Sequence, residues 1–203
     1  MPTRTADDLV IIRRSDRPLE LINERGLRRA VQTGEWTRVA SGAYAKTHQW
    51  RQLKPIARHA VRVDEVLRRL RHPVLLSHQA AAAVHGIDVL GAWPRRVDIT
   101  IAYATGGRSG GAIRRHATGL DDVERIAYGE HEITTPAQTV LDLARSLPFT
   151  PAVSAVDQAI WRNRPGGALT ALDEIRTLLG TGGGRRGEPG VRRGSQRRRH
   201  RDR

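Results

Sequence analysis

Residues 23–33 carry apolar side chains at helical spacing. At about 100° per residue, Leu27, Ala30 and Val31 cluster on one side, Arg25, Arg29 and Gln32 fall opposite, and Arg28 flanks them. Asn23 fits the N-cap, where a side-chain oxygen accepts a free amide of the first turn. Gly34 fits the position just past the helix, where a left-handed backbone is common. Gly26 breaks the pattern, at a cost of about 1 kcal/mol relative to alanine. Directly behind comes Glu35–Val39, rich in strand-forming types, then a turn at Ala40-Ser41-Gly42 and a return strand through Ala43-Tyr44-Ala45. A basic helix running straight into a tight hairpin is the local pattern of a winged helix-turn-helix. Residues 5–19 supply its first helix and turn, with Leu9, Val10, Ile11 and Ile12 apolar, and Leu19 to Ile22 a short second helix.

Beyond a hinge at 48–55 the periods alternate. Residues 56–71 read as a helix with Ile56, Ala60, Val63, Val66, Leu67 and Leu70 inward, and its arginine-rich last turn complements the helix dipole. Ser77 caps an alanine-rich helix over 78–85 that stops at Gly86. Val97, Ile99 and Ile101 alternate with Asp98 and Thr100, predicting a half-buried strand whose polar side is solvated. Residues 105–111 form a glycine-rich hairpin turn, and 112–116 the partner strand. Residues 123–127 and 132–134 are two more strands around Tyr128-Gly129. Thr135 caps a helix with Pro136 at its first position, a placement proline favours, and helices near 150–162 and 168–179 follow. The expected fold is α+β: a winged helix-turn-helix over 1–47, a mixed α/β module over 55–180, and a disordered arginine-rich tail over 181–203.

Charge sharpens this picture. The chain has 203 residues, enough for one medium domain or two small ones, with 35 basic against 21 acidic residues and a net charge of +14. Residues 1–54 carry +5, 55–180 only +2, and 181–203 carry +7, so the surplus sits at the two ends. A polyanionic partner follows, double-stranded DNA above all. The tail has too little apolar content to offset chain entropy; it reads either as an arm adding sequence-independent affinity or as a segment the fold does not need. There is no cysteine, which removes disulfides, thiolate zinc sites and cysteine nucleophiles. No apolar run suits a signal peptide or a membrane span, which points to a cytoplasmic protein without a membrane partner.

Enzyme chemistry finds little purchase. His78 and His85 lie two turns apart, too far to chelate one ion together, and read as anchors of the alanine-rich helix. Asp98, Asp121, Asp122, Glu124, Glu130 and Glu132 have the chemistry for a magnesium site but no recognisable spacing, and a solvated sheet face accounts for them as well. The 106–111 glycines lack the lysine and helix of a phosphate loop, and Asp142 reads as an internal partner on its helix. The expectation is no catalytic residue, no metal, no cofactor and no small-molecule substrate. The expected contacts to DNA are Arg25, Arg28, Arg29 and Gln32 from the helix in the major groove, and Arg38, Ser41 and Lys46 from the wing. An ordinary amphipathic helix and hairpin with solvated arginines has the same local pattern; the hairpin's immediate attachment and the charge balance favour DNA.

The segments GEWTRVASGAY (34–44), SHQAAAAVHGI (77–87), VDITIAY (97–103) and ITTPAQTVLDLARSLPF (133–149), in that order, resemble the AbiEi-like antitoxins of type IV toxin–antitoxin systems over roughly residues 5–165. The resemblance implies an N-terminal winged helix with an α/β module behind it. It implies a transcription regulator that binds DNA near its own operon, represses it, and counters a nucleotidyltransferase toxin. Arg25, Arg28, Arg29 and Arg38 fall where the family's DNA-contacting helix and wing lie. Longer relatives end in a Vsr or PD-(D/E)XK nuclease-like domain; here the arginine tail follows residue 180, with no D…(D/E)-x-K constellation. The alternatives are a truncated member of such a nuclease fusion, and a protein-binding module in which residues 55–180 grip a partner.

Overall fold

A computed structural model describes residues 9–15, 24–102 and 110–181. They form a mixed α+β fold of seven helices, a three-strand antiparallel sheet and a five-strand mixed sheet. The Asn23 cap, residues 5–8 and 16–19 of the expected first helix and turn, the second helix, the 105–109 part of the glycine-rich turn, and the tail from residue 182 all lie outside the described residues.

The first sheet has the order β1-β3-β2, with β1 Ile11–Arg13, β2 Trp36–Ala40 and β3 Ala43–Lys46. Strand β1 corrects the expectation of a helix through these positions. Ile11 pairs with Ala45 and Ile12 with Tyr44, and β-branched residues suit that pleat. Because successive side chains point to opposite sides of a strand, the sheet is covered on both. Ile12, Trp36 and Tyr44 meet Leu27, Ala30 and Val31 of α1 (Glu24–Gln32) on one side. On the other, Ile11, Val39, Ala43 and Ala45 meet Trp50, Leu53, Ala57 and Val61. Trp50 belongs to α2 (Thr47–Gln52), a helix that occupies part of the expected hinge. Trp50 and Leu53 are both buried against the first sheet.

Helix α3 (Pro55–Leu67) packs on both sheets, Val61 on the first and Val63, Val66 and Leu67 on the second. Arg13 ties its end to β1: the guanidinium donates to Glu65, from Nε to both carboxylate oxygens at 2.9 and 3.0 Å and from Nη2 at 2.6 Å. Glu65 is almost fully buried, so this bidentate geometry is what makes its charge tolerable there.

The second sheet runs β6-β5-β4-β8-β7, comprising β4 Leu75–Leu76, β5 Val97–Ala102, β6 Ile113–Thr118, β7 Arg125–Tyr128 and β8 His131–Thr134. The two-residue β4 was not expected from sequence, yet it joins the halves, antiparallel to β5 and parallel to β8. The pairing of β5 with β6 is parallel, which corrects the hairpin reading of the glycine-rich segment between them. Strand β5 is interior, and its first four residues are all buried, so the expected solvated side is also overturned. The expected β7–β8 hairpin forms, but its turn is Gly129-Glu130, one residue later than expected, because Tyr128 pairs with His131 at the end of β7.

Helix α4 (His78–His85) ends at Gly86 in the left-handed conformation. Its alanines bring neighbours close: Ala80 and Ala81 face the sheet with Leu76, Val97, Ile99 and Ile133, while Ala82 faces Val140, Leu141 and Leu143 of α5 (Pro136–Ser146). Ser77 precedes α4 without capping it through its side chain. Thr135 does cap α5, its hydroxyl accepting from the Gln138 amide at 3.2 Å. Helices α6 (Phe149–Ile160) and α7 (Leu172–Thr181) close the apolar cluster around α5. Among the described residues no helix is long and apolar enough to cross a membrane.

Candidate nucleic-acid interface

Helix α1 owes its orientation to three side chains. Leu27 is buried against Trp36 and Tyr44, with Ala30 and Val31 beside it, and burial of such a leucine stabilises by about 1.5–3 kcal/mol. With that side fixed to the sheet, Arg25, Arg28, Arg29 and Gln32 are all exposed. Glu24 opens the helix and pairs with Arg28 at 3.4 Å and with Arg14 at 3.9 Å. Both pairs are solvent-exposed, and contacts of that kind contribute at most about 1 kcal/mol. They hold the arginines lightly and leave them available to a stronger anion. Gly34 (φ +78°) ends the helix where the pattern placed it.

The hairpin presents its basic residues on the side that carries α1. Trp36 pairs with Lys46 and Arg38 with Tyr44, and by the pleat these four share one side of the sheet. Trp36 and Tyr44 are covered by α1, whereas Arg38 and Lys46 are exposed. A bulge at Val39 breaks the register between Arg38 and Ala40, and Arg38 Nε donates across it to the Ala40 carbonyl at 3.2 Å. Ser41 and Gly42 make the turn, with Gly42 at φ +67°. The Ser41 carbonyl accepts from Arg69 Nη1, so the tip is tied to the end of α3. Lys46 lies at the opposite end of the hairpin from Ser41, level with Trp36. The fold therefore brings Arg38 and Ser41 near the tip and sets Lys46 at the base.

The chain matches no protein-family model and no curated protein.

The residues weighed for metal chemistry are dispersed. Among the described residues no group of three or more histidines and carboxylates is arranged to hold a metal ion. Glu132 pairs with Arg125 at 3.2 Å, Glu124 accepts from the Thr135 hydroxyl at 3.3 Å, and Asp142 accepts from Gln138 Nε2 at 2.7 Å. His85 Nε2 donates to the Thr134 carbonyl at 2.8 Å, which anchors α4 to the end of β8.

Asp98 is the exception to the surface reading. It is fully buried on β5, accepting from His116 Nε2 at 2.9 Å with Arg114 at 3.5 Å. His116 stacks on His78, ring centroids 3.6 Å apart, and His78 Nδ1 lies 2.9 Å from the Ser77 hydroxyl. His78 has φ +50°, a conformation uncommon outside glycine. His59, also buried, donates from Nδ1 to the Pro94 carbonyl at 3.0 Å and leans on Trp93. Burial holds His59 down at about 4 despite the attraction of Asp98. Burial, reinforced by His116, holds His78 at about 3. His59 and His78 are therefore neutral at physiological pH, and with Asp98 and His116 they form a largely enclosed cluster. Their assembly from α3, α4, β5 and β6 had no local signal, because the alternation along β5 is the same for a solvated side and a covered one.

Proposed function

We propose that this chain is a DNA-binding transcription regulator, built like the AbiEi-type antitoxins with an N-terminal winged helix. In this reading α1 enters the major groove, where arginine pairs bidentately with guanine and glutamine with adenine. Arg25, Arg28, Arg29 and Gln32 meet base edges and phosphates there. Arg38 and Ser41 at the hairpin tip meet the backbone, and Lys46 supports from the base. One observation carries the reading: α1 buries Leu27, Ala30 and Val31 on the sheet and turns three arginines and a glutamine outward, on the side of the sheet where Arg38 and Lys46 are exposed. The antiparallel third strand β1 supports the wing, because it keeps the hairpin in a fixed place beside the helix. Repression of the protein's own operon and a nucleotidyltransferase toxin as partner extend this proposal through the motif resemblance.

The test is a titration, at fixed salt, of DNA from upstream of the protein's own coding sequence. Arg28→Ala with Arg29→Ala should weaken binding by about 1–3 kcal/mol. Equal affinity of variant and wild type would remove α1 from the interface.

A second reading, that residues 55–180 grip a protein partner, is supported by one patch. Leu90, Val153 and Trp161 are exposed around a cleft of about 440 Å³ beside α6, and Phe149 at the start of α6 is 83% exposed. Trp161→Ala with Val153→Asp should weaken capture of the protein encoded by the adjacent gene while DNA binding persists.

A further inference from the structure

Between the hairpin turn and the end of α3 lies a groove of about 780 Å³ whose walls carry Arg13, Arg14, Arg38, Arg68 and Arg69. Among the described residues Glu65 is the one carboxylate lining it, and it is engaged by Arg13 in the bidentate pair. The groove is thus strongly cationic. A pocket of this volume suited to an apolar small molecule is lined mainly by hydrophobic and aromatic side chains; this one is lined mainly by guanidinium groups and backbone of the turn. Guanidinium forks match phosphate oxygens in pairs. The groove also adjoins α1, because Arg14 on its wall reaches Glu24 at the first turn of that helix. Arg69 fixes the width by holding the Ser41 carbonyl, so the hairpin tip and α3 act as two banks of one channel.

We propose that this groove seats the phosphodiester backbone of the duplex that α1 meets, with Arg14 and Arg68 as phosphate contacts and Arg69 as the residue that positions the hairpin bank. The inference rests on the DNA-binding reading and extends it to residues on β1's flank and α3. These contacts carry no sequence information; they add affinity and register.

The experiment measures binding of the full chain to a mixed-sequence duplex of about 30 base pairs at several salt concentrations. Four proteins are compared: wild type, Arg14→Ala/Arg68→Ala, Arg28→Ala/Arg29→Ala, and Arg145→Ala/Arg176→Ala. The last pair removes equal charge from exposed sites on α5 and α7. Each phosphate contact contributes about 0.9 to the slope of log K against log salt. The Arg14/Arg68 variant should therefore lose about 2 from the slope and roughly ten- to fifty-fold in affinity at 0.1 M salt, with an unchanged unfolding midpoint. The Arg145/Arg176 variant should keep the wild-type slope.

A wild-type slope in the Arg14/Arg68 variant, while Arg28/Arg29 weakens binding, overturns the groove and leaves the helix reading standing. Loss in the groove variant alone keeps the groove and removes the helix. Equal losses in the groove and remote variants reduce the effect to net charge and overturn the proposal. No duplex binding by wild type overturns both readings. Titration with inorganic pyrophosphate separates a free phosphorylated ligand: saturable binding that needs Arg14 and Arg68, without a change in duplex slope, also overturns the proposal.

Discussion

Arg25, Arg28 and Arg29 on α1 stand in water, whereas Asp98, His59 and His78 around β5 are held in or near the interior. The first group is polar on the outside of a helix whose grip on the protein comes from Leu27 and its apolar neighbours. The second is polar within the packing itself, with hydrogen bonds and ring stacking in place of water. The contrast separates two costs. Charges of the first kind can be removed with little damage to the fold, and their loss is felt by a ligand. Groups of the second kind are felt by the fold, because a buried polar atom left without its partner costs about 1–3 kcal/mol or more.

The largest effect is expected where the two kinds meet. Arg13→Ala strands the buried Glu65 carboxylate, and breaking a buried pair in this way costs about 3–5 kcal/mol. Urea unfolding reads it; an unchanged midpoint would mean that Glu65 is solvated and that the division into outside and inside charge is wrong. Acid comes next. Well above pH 6.5 His59 and His78 are neutral whether folded or not. Below it the unfolded chain takes up protons that the folded chain refuses until about pH 4 and 3. Stability should therefore fall as pH drops from 6.5, by about 2 kcal/mol per histidine at pH 5. His59→Gln and His78→Gln should each flatten the profile, and a wild-type stability that is level from pH 7.5 to 5 would refute the enclosure of both rings.

Smaller still, Thr135→Ala removes the hydroxyl that accepts the Gln138 amide and should cost about 1 kcal/mol of thermal stability. At the bottom of the series stands Arg28→Ala/Arg29→Ala, expected to move stability by no more than about 0.5 kcal/mol while binding suffers. A large loss of stability there would place those arginines among the structural groups and dissolve the comparison.

What the sequence made legible is what local chemistry decides. Thr135 followed by Pro136 announces a helix start because a cap and a fixed φ act within one turn. Gly34 and Gly86 mark helix ends for an equally local reason. Leu27, Ala30 and Val31 place α1 on something apolar, although nothing in them says that it is Trp36, Tyr44 and Ile12. The misses share the opposite cause. Ile11 and Ile12 suit a helix or a strand, and pairing with Ala45 and Tyr44 decides between them. Leu75 and Leu76 are too few to show a period. Residues 113–118 read as a strand, yet their parallel direction is set by the sheet. Asp98 looks solvated until β6 brings His116 to it. The candidate interface divides in the same way: the α1 arginines follow from helical spacing, but the groove unites β1's flank, the hairpin and the end of α3, which no window of sequence spans.

Strand β4 has one further consequence, for the order of assembly. Its two leucines take hydrogen bonds from β5, which follows soon after in the chain, and from β8, which arrives only near residue 131. During synthesis the β4–β5–β6 half can pair early, but it must wait with one border of β4 open until the β7–β8 hairpin emerges. The three-strand sheet near the amino end closes on its own hairpin much sooner. Nascent chains halted before residue 131 should thus already protect the amides of β2 and β3 from hydrogen exchange while the Leu76 amide, on the β8 side of β4, still exchanges freely.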